Sequence, residues 1–364
     1  MSADTILKIT DVDNIDLDEY CLLHKTAFKE LLTVQKVKDG FLTPDFFKWK
    51  YNTPAGKAKI AIIQKEERII AGVAVWPLPA IYNGKVITVW HSGDVVALPG
   101  ERGKWFFAKC MKALMSELPE GSFLFGFPNQ NNAAGANRAG FKPIEQLNFY
   151  AKVYTGFYGK KYADTLKKFT QLQDQYAKDV IGENTIGIYR SAAYMNWRYL
   201  HKPETDYHCY NVESDGKIIG NTVVRSAIIK GKRILLVMEY HYTQKNTRHQ
   251  LLKFIKQAAA KEKCSIIGIF SGKLFAPEFF NTGFIKVPDA FLPKKQILVG
   301  TLNNANEKTH LQNNWRSEEH TSELQSPTTL FPYTTLFRSY NQREKDIAGN
   351  GVSLYTKKYP APVA

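Results

Sequence analysis

Two stretches about 148 residues apart open the same pattern, and this repetition constrains the fold more than any other feature of the chain. Phe46–Pro54 (FFKWKYNTP) leads into the apolar run Ile60–Val75 and the hairpin-like Ala80–Trp90, while Tyr194–Pro203 (YMNWRYLHKP) leads into Cys209–Val224 and Ala227–Val237. Further on, SFLFGF (Ser122–Phe127) is matched by SIIGIF (Ser265–Phe270), and AGFK (Ala139–Lys142) by TGFI (Thr282–Ile285). Matches that keep their order with little drift in spacing imply two copies of one α/β unit, covering 1–150 and 151–315.

Within the first copy, alternation of apolar residues predicts strands near 5–10, 60–64, 70–76 and 85–97, with an Asn-Gly turn at Asn83 and Gly84 before the last of them. Helical periodicity marks 16–30, 43–51 and 104–117, and a buried strand follows at 122–127. Antiparallel strands followed by a loop, a helix and a parallel strand make a mixed sheet. The fold class is therefore α/β, with two tandem units, each a mixed, mostly antiparallel sheet flanked by helices.

The 364 residues are enough for about two domains. No segment reaches the roughly 20 apolar residues of a membrane span, and the N-terminus lacks the pattern of a signal peptide, so a cytoplasmic protein is expected. Cys21, Cys110, Cys209 and Cys264 lie far apart with no CxxC, which predicts reduced core thiols and no metal site. A formal charge of +15 favours anionic partners, yet the lysines are scattered and no basic run of five occurs, which argues against a nucleic-acid arm.

Arg316–Ser339 (RSEEHTSELQSPTTLFPYTTLFRS) contains no Ala, Gly, Val, Ile, Lys, Asn or Asp, although the rest of the chain is rich in them. It is similar to an in-frame translation of short-read sequencing adapters. We read 316–364 as an artefactual or unrelated tail. Arg316–Ser339 carries a net −1 and the 25 residues after it +2, so the chain without both is still at +14.

The stretch Leu98–Leu114 (LPGERGKWFFAKCMKAL) places a Pro-Gly loop between a strand and a helix, which turns backbone N–H groups and the positive end of the helix dipole toward an anion. It is neither a Walker loop nor a dinucleotide-binding fingerprint. It resembles the V-x-P-x-x-R-G-x-G-x-G/A loop of the GNAT superfamily of acetyl-CoA-dependent N-acyltransferases. Pro99 and the pair Arg102-Gly103 match, while Trp105 and Phe107 stand where that family has glycine. The likeness continues through Leu124–Ile144 (LFGFPNQNNAAGANRAGFKPI), and YMNWRYLHKP in the second half is similar to the partner domain of tandem members. It covers nearly all of 1–315.

The resemblance implies an N-acetyltransferase. Main-chain groups at Val95 and Ala97 would bind the pantetheine arm, amides of Arg102, Gly103, Lys104 and Trp105 the pyrophosphate, and Asn129 or Asn131 would face the thioester. Acetyl-CoA would be the co-substrate, with no metal. The family often places a tyrosine acid on the fourth helix, where this chain has Gly135 and Ala136. Asp94 and His91, on the fourth strand, are the candidate catalytic bases. Trp105 and Phe107 are expected to face the core, and the motifs Trp49-Lys50-Tyr51 and Trp197-Arg198-Tyr199 read either as helix anchors or as substrate-facing.

The second copy has no Arg-Gly pair or proline in Tyr240–Phe254, so the first copy is expected to bind the cofactor and the second, degenerate, to shape the acceptor pocket. The function expected is acetyl transfer from acetyl-CoA to a primary amine, of a small molecule or a polysaccharide precursor. The alternatives are a non-catalytic acyl-CoA-binding protein or an aminoacyl-tRNA-dependent transferase.

Overall fold

Lys85–Ala97 (KVITVWHSGDVVA), the longest alternating run of the first copy, is a single strand near the centre of a sheet half, and the remaining elements are arranged around it. The protein is represented by a computed structural model that describes residues 5–29, 42–102, 106–128, 133–154, 174, 186–203, 207–229, 231–271, 282–288 and 296–303. The suspected tail, 316–364, lies outside the described residues.

The chain begins with strand β1 (Thr5–Thr10), helices α1 (Leu17–Ala27) and α2 (Pro44–Tyr51), and the small hairpin β2 (Asn52–Thr53) and β3 (Gly56–Lys57). There follow β4 (Lys59–Lys65), β5 (Arg68–Tyr82), β6 (Lys85–Ala97), α3 (Phe106–Ser116), β7 (Phe123–Gly126), α4 (Ala133–Arg138) and β8 (Lys142–Val153). The second run is β9 (Ile186–Ile188), α5 (Ala192–Met195), β10 (His208–Ser214), β11 (Lys217–Ile229), β12 (Lys232–Tyr242), α6 (Thr247–Lys261), β13 (Ile266–Ser271), β14 (Ile285–Lys286) and β15 (Gln296–Leu302).

Helix starts follow local chemistry. Asp16 accepts from Glu19 N at the head of α1 (3.0 Å), and Thr43 accepts from Phe46 N at the head of α2 (3.3 Å), where Pro44 occupies the first turn. Strand β5 runs on past the predicted end at 76 through Pro77 and Pro79. Its pairing with β4 ends at Val75 and that with β9 begins at Ala80, so both prolines, which lack an N–H, fall in the gap between two partners.

One sheet of 13 strands carries the order β1-β4-β5-β6-β7-β15-β8-β13-β12-β11-β10, with β9 beside β5 and β14 beside β8 off that path. The pairs β6–β7 and β12–β13 are parallel and their neighbours antiparallel, so the two copies recur in the topology as well as in the sequence. At the centre the copies interleave. β15, from the end of the second copy, pairs with β7, whereas β8, from the end of the first copy, pairs with β13 (Phe149↔Phe270). The division expected near residue 150 thus falls inside β8, and each copy completes the other's sheet.

Three apolar clusters hold the sheet. One lies under α1, α2 and α5, with Phe47, Tyr51, Leu78 and Tyr194 fully enclosed; one under α3, with Cys110, Met111 and Leu114; and one under α6, with Leu235 and Ala258. All four cysteines are buried free thiols. Each fully buried Leu or Met contributes roughly 1.5–3 kcal/mol relative to exposure.

Candidate functional site

β6 and β7 run parallel only through Trp90↔Leu124, His91↔Phe125 and Ser92↔Gly126. At that last pair the backbones approach closely. A Cβ on Gly126 would lie 3.0 Å from the Ser92 carbonyl oxygen, so only glycine fits there without a shift. Beyond it Phe127 and Pro128 leave the sheet, while β6 continues from Gly93 to Ala97 beside β5. A register shift against β5 between Gly72 and Ala74, together with Asp94 at φ 50°, bends β6 at this point. The result is a wedge between β6 and β7 whose β6 edge, Gly93–Ala97, faces no other strand of the described residues. Val95 and Ala97 lie on that edge.

Leu98 N donates to Ile70 O (2.9 Å), and Pro99–Glu101 form a tight turn closed by Glu101 N to Leu98 O (2.9 Å). Arg102 then donates from Nη2 to Ala27 O at the C-terminus of α1 (2.7 Å), so its side chain ties the loop to that helix. Gly103, Lys104, Trp105, Asn129 and Asn131 lie outside the described residues. Phe107 packs over Gly135, with Cδ1 3.0 Å from the position a Cβ would take there. An aromatic ring from α3 thus covers one of the two positions, Gly135, where the family resemblance implies a tyrosine acid.

Asp94 is a buried anion, its side chain 6 % exposed. Lys50 Nζ lies 2.8 Å from both carboxylate oxygens, and Tyr51 Oη donates to Oδ2 at 2.8 Å. Burial alone would raise the Asp94 pKa, but Lys50, His24 and the two hydrogen bonds outweigh it and hold the group below the usual carboxylate range. Lys50 also sits 4.6 Å above the Trp76 ring. Behind this cluster Tyr51 Oη meets Tyr20 Oη at 3.3 Å. A base needs a lone pair turned toward its substrate; both oxygens of Asp94 are already engaged by Lys50 and Tyr51, which suits a fixed anion that positions α2 against β6.

His91 is enclosed by aromatic rings, with Trp76 at 4.4 Å, Phe125 at 4.8 Å and Phe127 at 6.2 Å between centroids. It stands one residue before the wedge opens.

His24, on α1, is fully buried among Tyr20, Phe47 and Phe28, with no hydrogen-bond partner for either ring nitrogen among the described residues. Burial pushes its pKa down from 6.5 to about 4, against a smaller upward pull from Asp94. A histidine that is harder to protonate when folded supports the fold fully above the unfolded pKa and loses that support as pH falls toward the folded one. Denaturant titrations should therefore show about 3 kcal/mol lost between pH 6.5 and pH 4. His24→Phe should flatten that slope, whereas an unchanged slope would assign the acid sensitivity elsewhere.

The second copy contains a counterpart of the Asp94 cluster that the sequence reading missed. Glu239, on β12, accepts from Tyr199 Oη (2.5 Å) at Oε1 and from Arg190 Nε (2.6 Å) at Oε2. Oε2 also lies 2.9 Å from His241 Nε2. Burial would raise the Glu239 pKa, but Arg190, His241 and Tyr199 bring it down to about 2. Tyr51 with Asp94 and Tyr199 with Glu239 are the same pair, repeated once per copy. The recurring W-K-Y and W-R-Y motifs were the available signal; the carboxylates lie 43 and 40 residues from their tyrosines, too far for a local pattern.

The two motifs also meet each other. Trp49 Nε1 donates to Trp197 O (2.8 Å), Trp197 Nε1 donates to Trp49 O (2.9 Å), and the rings stack at 5.4 Å with a 21° interplanar angle. The motifs therefore anchor α2 and the chain after α5 to one another, related by a local two-fold. No helix among the described residues is long and apolar enough to cross a membrane, and none of their His, Cys, Asp and Glu side chains group so as to hold a metal.

No family model matches the sequence, and no curated protein does. Solved structures do match. A GCN5-related N-acetyltransferase from Anabaena variabilis is 12% identical with a TM-score of 0.57, covering 82% of this chain and 73% of its own. A protein from Enterococcus faecalis described as a probable N-acyltransferase is 14% identical, TM-score 0.53, over 82% and 72%. Saccharomyces cerevisiae N-myristoyltransferase with bound myristoyl-CoA is 11% identical, TM-score 0.52, over 86% and 88%. The chain has the GNAT fold.

Proposed function

We propose that the protein transfers an acyl group, acetyl in the simplest case, from its coenzyme A thioester to a primary amine, with the first copy holding the thioester. The observation that carries this reading is the wedge where β6 outruns β7 at Ser92 and Gly126, followed directly by the 98–102 loop and α3. A pantetheine arm would add to the β6 edge through main-chain groups at Val95 and Ala97, much as a strand would. Amides from Arg102 to Trp105, before α3, would take the pyrophosphate, and Asn129 or Asn131 would face the thioester.

The chemistry asks little of side chains. The neutral amine attacks the thioester carbonyl carbon, the C–N bond forms and the C–S bond breaks; one proton leaves the nitrogen and the departing thiolate is protonated. Positioning and polarisation of the carbonyl supply most of the acceleration. His91 is the candidate acceptor of the amine's proton, and Asp94 serves as the anion that keeps Lys50, Tyr51 and the bend of β6 in place. The acceptor class is a small-molecule or polysaccharide-precursor amine.

A second reading, acyl-CoA binding without turnover, is favoured by Phe107 over Gly135 and by the engaged oxygens of Asp94. Calorimetry with acetyl-CoA, followed by thiol release in the presence of primary amines, separates the two. Saturable binding with amine-dependent thiol release is the expected outcome. Binding without release selects the second reading, and absence of binding overturns both.

A further inference from the structure

Gly93 is the first residue of the free β6 edge, and the space on one face of it is already taken. Trp76 stands opposite His91 in the β5–β6 register, and its indole reaches diagonally across to Gly93. A Cβ on Gly93 would lie 2.7 Å from Trp76 Cη2 and 3.2 Å from Cζ3, so the ring rests against the backbone there. Trp76 is 2% exposed and is itself held in place. The His91 ring meets it edge-on at 4.4 Å between centroids, Tyr51 lies at 6.0 Å, and Lys50 Nζ sits 4.6 Å over the indole.

The surroundings are filled as well. Phe125 and Phe127 continue the aromatic wall beyond His91, and Phe125 is fully buried. On the opposite face, under α3, Ser92 Oγ donates to Met111 Sδ (3.5 Å), and Met111 is fully enclosed. Side chains packed this closely admit further methylenes only if one of them is displaced. A chain that enters the wedge at Gly93 thus meets the Trp76 ring on one face and Met111 on the other.

We infer that Trp76 is a specificity-determining residue that restricts the thioester to short acyl groups, acetyl foremost, and turns medium and long chains away. The inference rests on the reading that a coenzyme A thioester occupies the wedge, and it holds whether or not the acyl group is then transferred. The gap between β6 and β7 sets no limit to the length of an acyl chain; the indole beneath Gly93 does.

Calorimetry of the full chain with coenzyme A, acetyl-CoA and octanoyl-CoA tests this. The wild type should bind acetyl-CoA at least tenfold more tightly than octanoyl-CoA, in line with the discrimination an apolar pocket exerts over added methylenes. Trp76→Ala and the milder Trp76→Leu should each shift that ratio at least tenfold toward octanoyl-CoA. An indole with a structural role alone would weaken both thioesters alike on removal and leave the ratio unmoved. A wild type that binds octanoyl-CoA as tightly as acetyl-CoA, or variants that keep the wild-type ratio, would overturn the proposal and leave the thioester reading standing. Absence of binding with all three ligands is a distinct result, which removes that reading and the proposal with it. The wild-type series decides alone if neither variant folds.

Discussion

Asp94→Ala should lower the stability of the protein by about 3–5 kcal/mol, the cost of stranding a buried charge. The variant leaves the Lys50 ammonium, 10% exposed, facing Trp76 with no counter-ion and removes the acceptor of the Tyr51 hydroxyl. Removing both charges together should cost much less, because the desolvation of Lys50 disappears along with its partner. Lys50→Met with Asp94→Leu is therefore expected to be markedly more stable than Asp94→Ala, as read from chemical denaturation midpoints. If Asp94→Ala loses less than 1 kcal/mol, the carboxylate is not the pinned anion described above. A mobile base would then become the better account of it.

Trp197→Ala should have an effect of similar size, about 3–5 kcal/mol for loss of a buried indole. It removes the stack on Trp49 and the donor to the Trp49 carbonyl. Because Trp49 and Trp197 contact each other, the double variant should lose less than the sum of the singles, with a coupling of about 0.5–3 kcal/mol. Strictly additive losses would mean that the reciprocal hydrogen bonds do not join the copies energetically.

These contacts mark the boundary of what could be read from the sequence. Elements with strong local periodicity were legible: Lys85–Ala97 was predicted to the residue, and α2 began one residue from its predicted start. The extension of β5 was hidden because Pro77 and Pro79 end most strands, and the tolerance for them comes from a gap between β4 and β9 that only the assembled sheet contains. The repeat revealed both Trp49 and Trp197 but not that they clasp each other. It could not show the exchange of β8 and β15 either, since a strand carries no local mark of its partner.

For the site the division is similar. The strand end and turn around Leu98 could be read from the motif, whereas the close approach at Gly126 carries no mark in the sequence, the Lys50–Asp94 ion pair joins residues 44 apart and the Glu239 cluster joins three separate elements. His24 had no sequence signal at all. Its pKa is set by burial among rings from α1 and α2, a property of packing and not of neighbours in the chain.

The most direct test of the central claim, that the first copy alone receives the thioester, is hydrogen–deuterium exchange of the full chain with and without acetyl-CoA. Protection should appear along Gly93–Arg102 and Leu124–Pro128, with Val237–Asn246 of the second copy unchanged. No protection at saturating acetyl-CoA, or protection confined to Val237–Asn246, would contradict it.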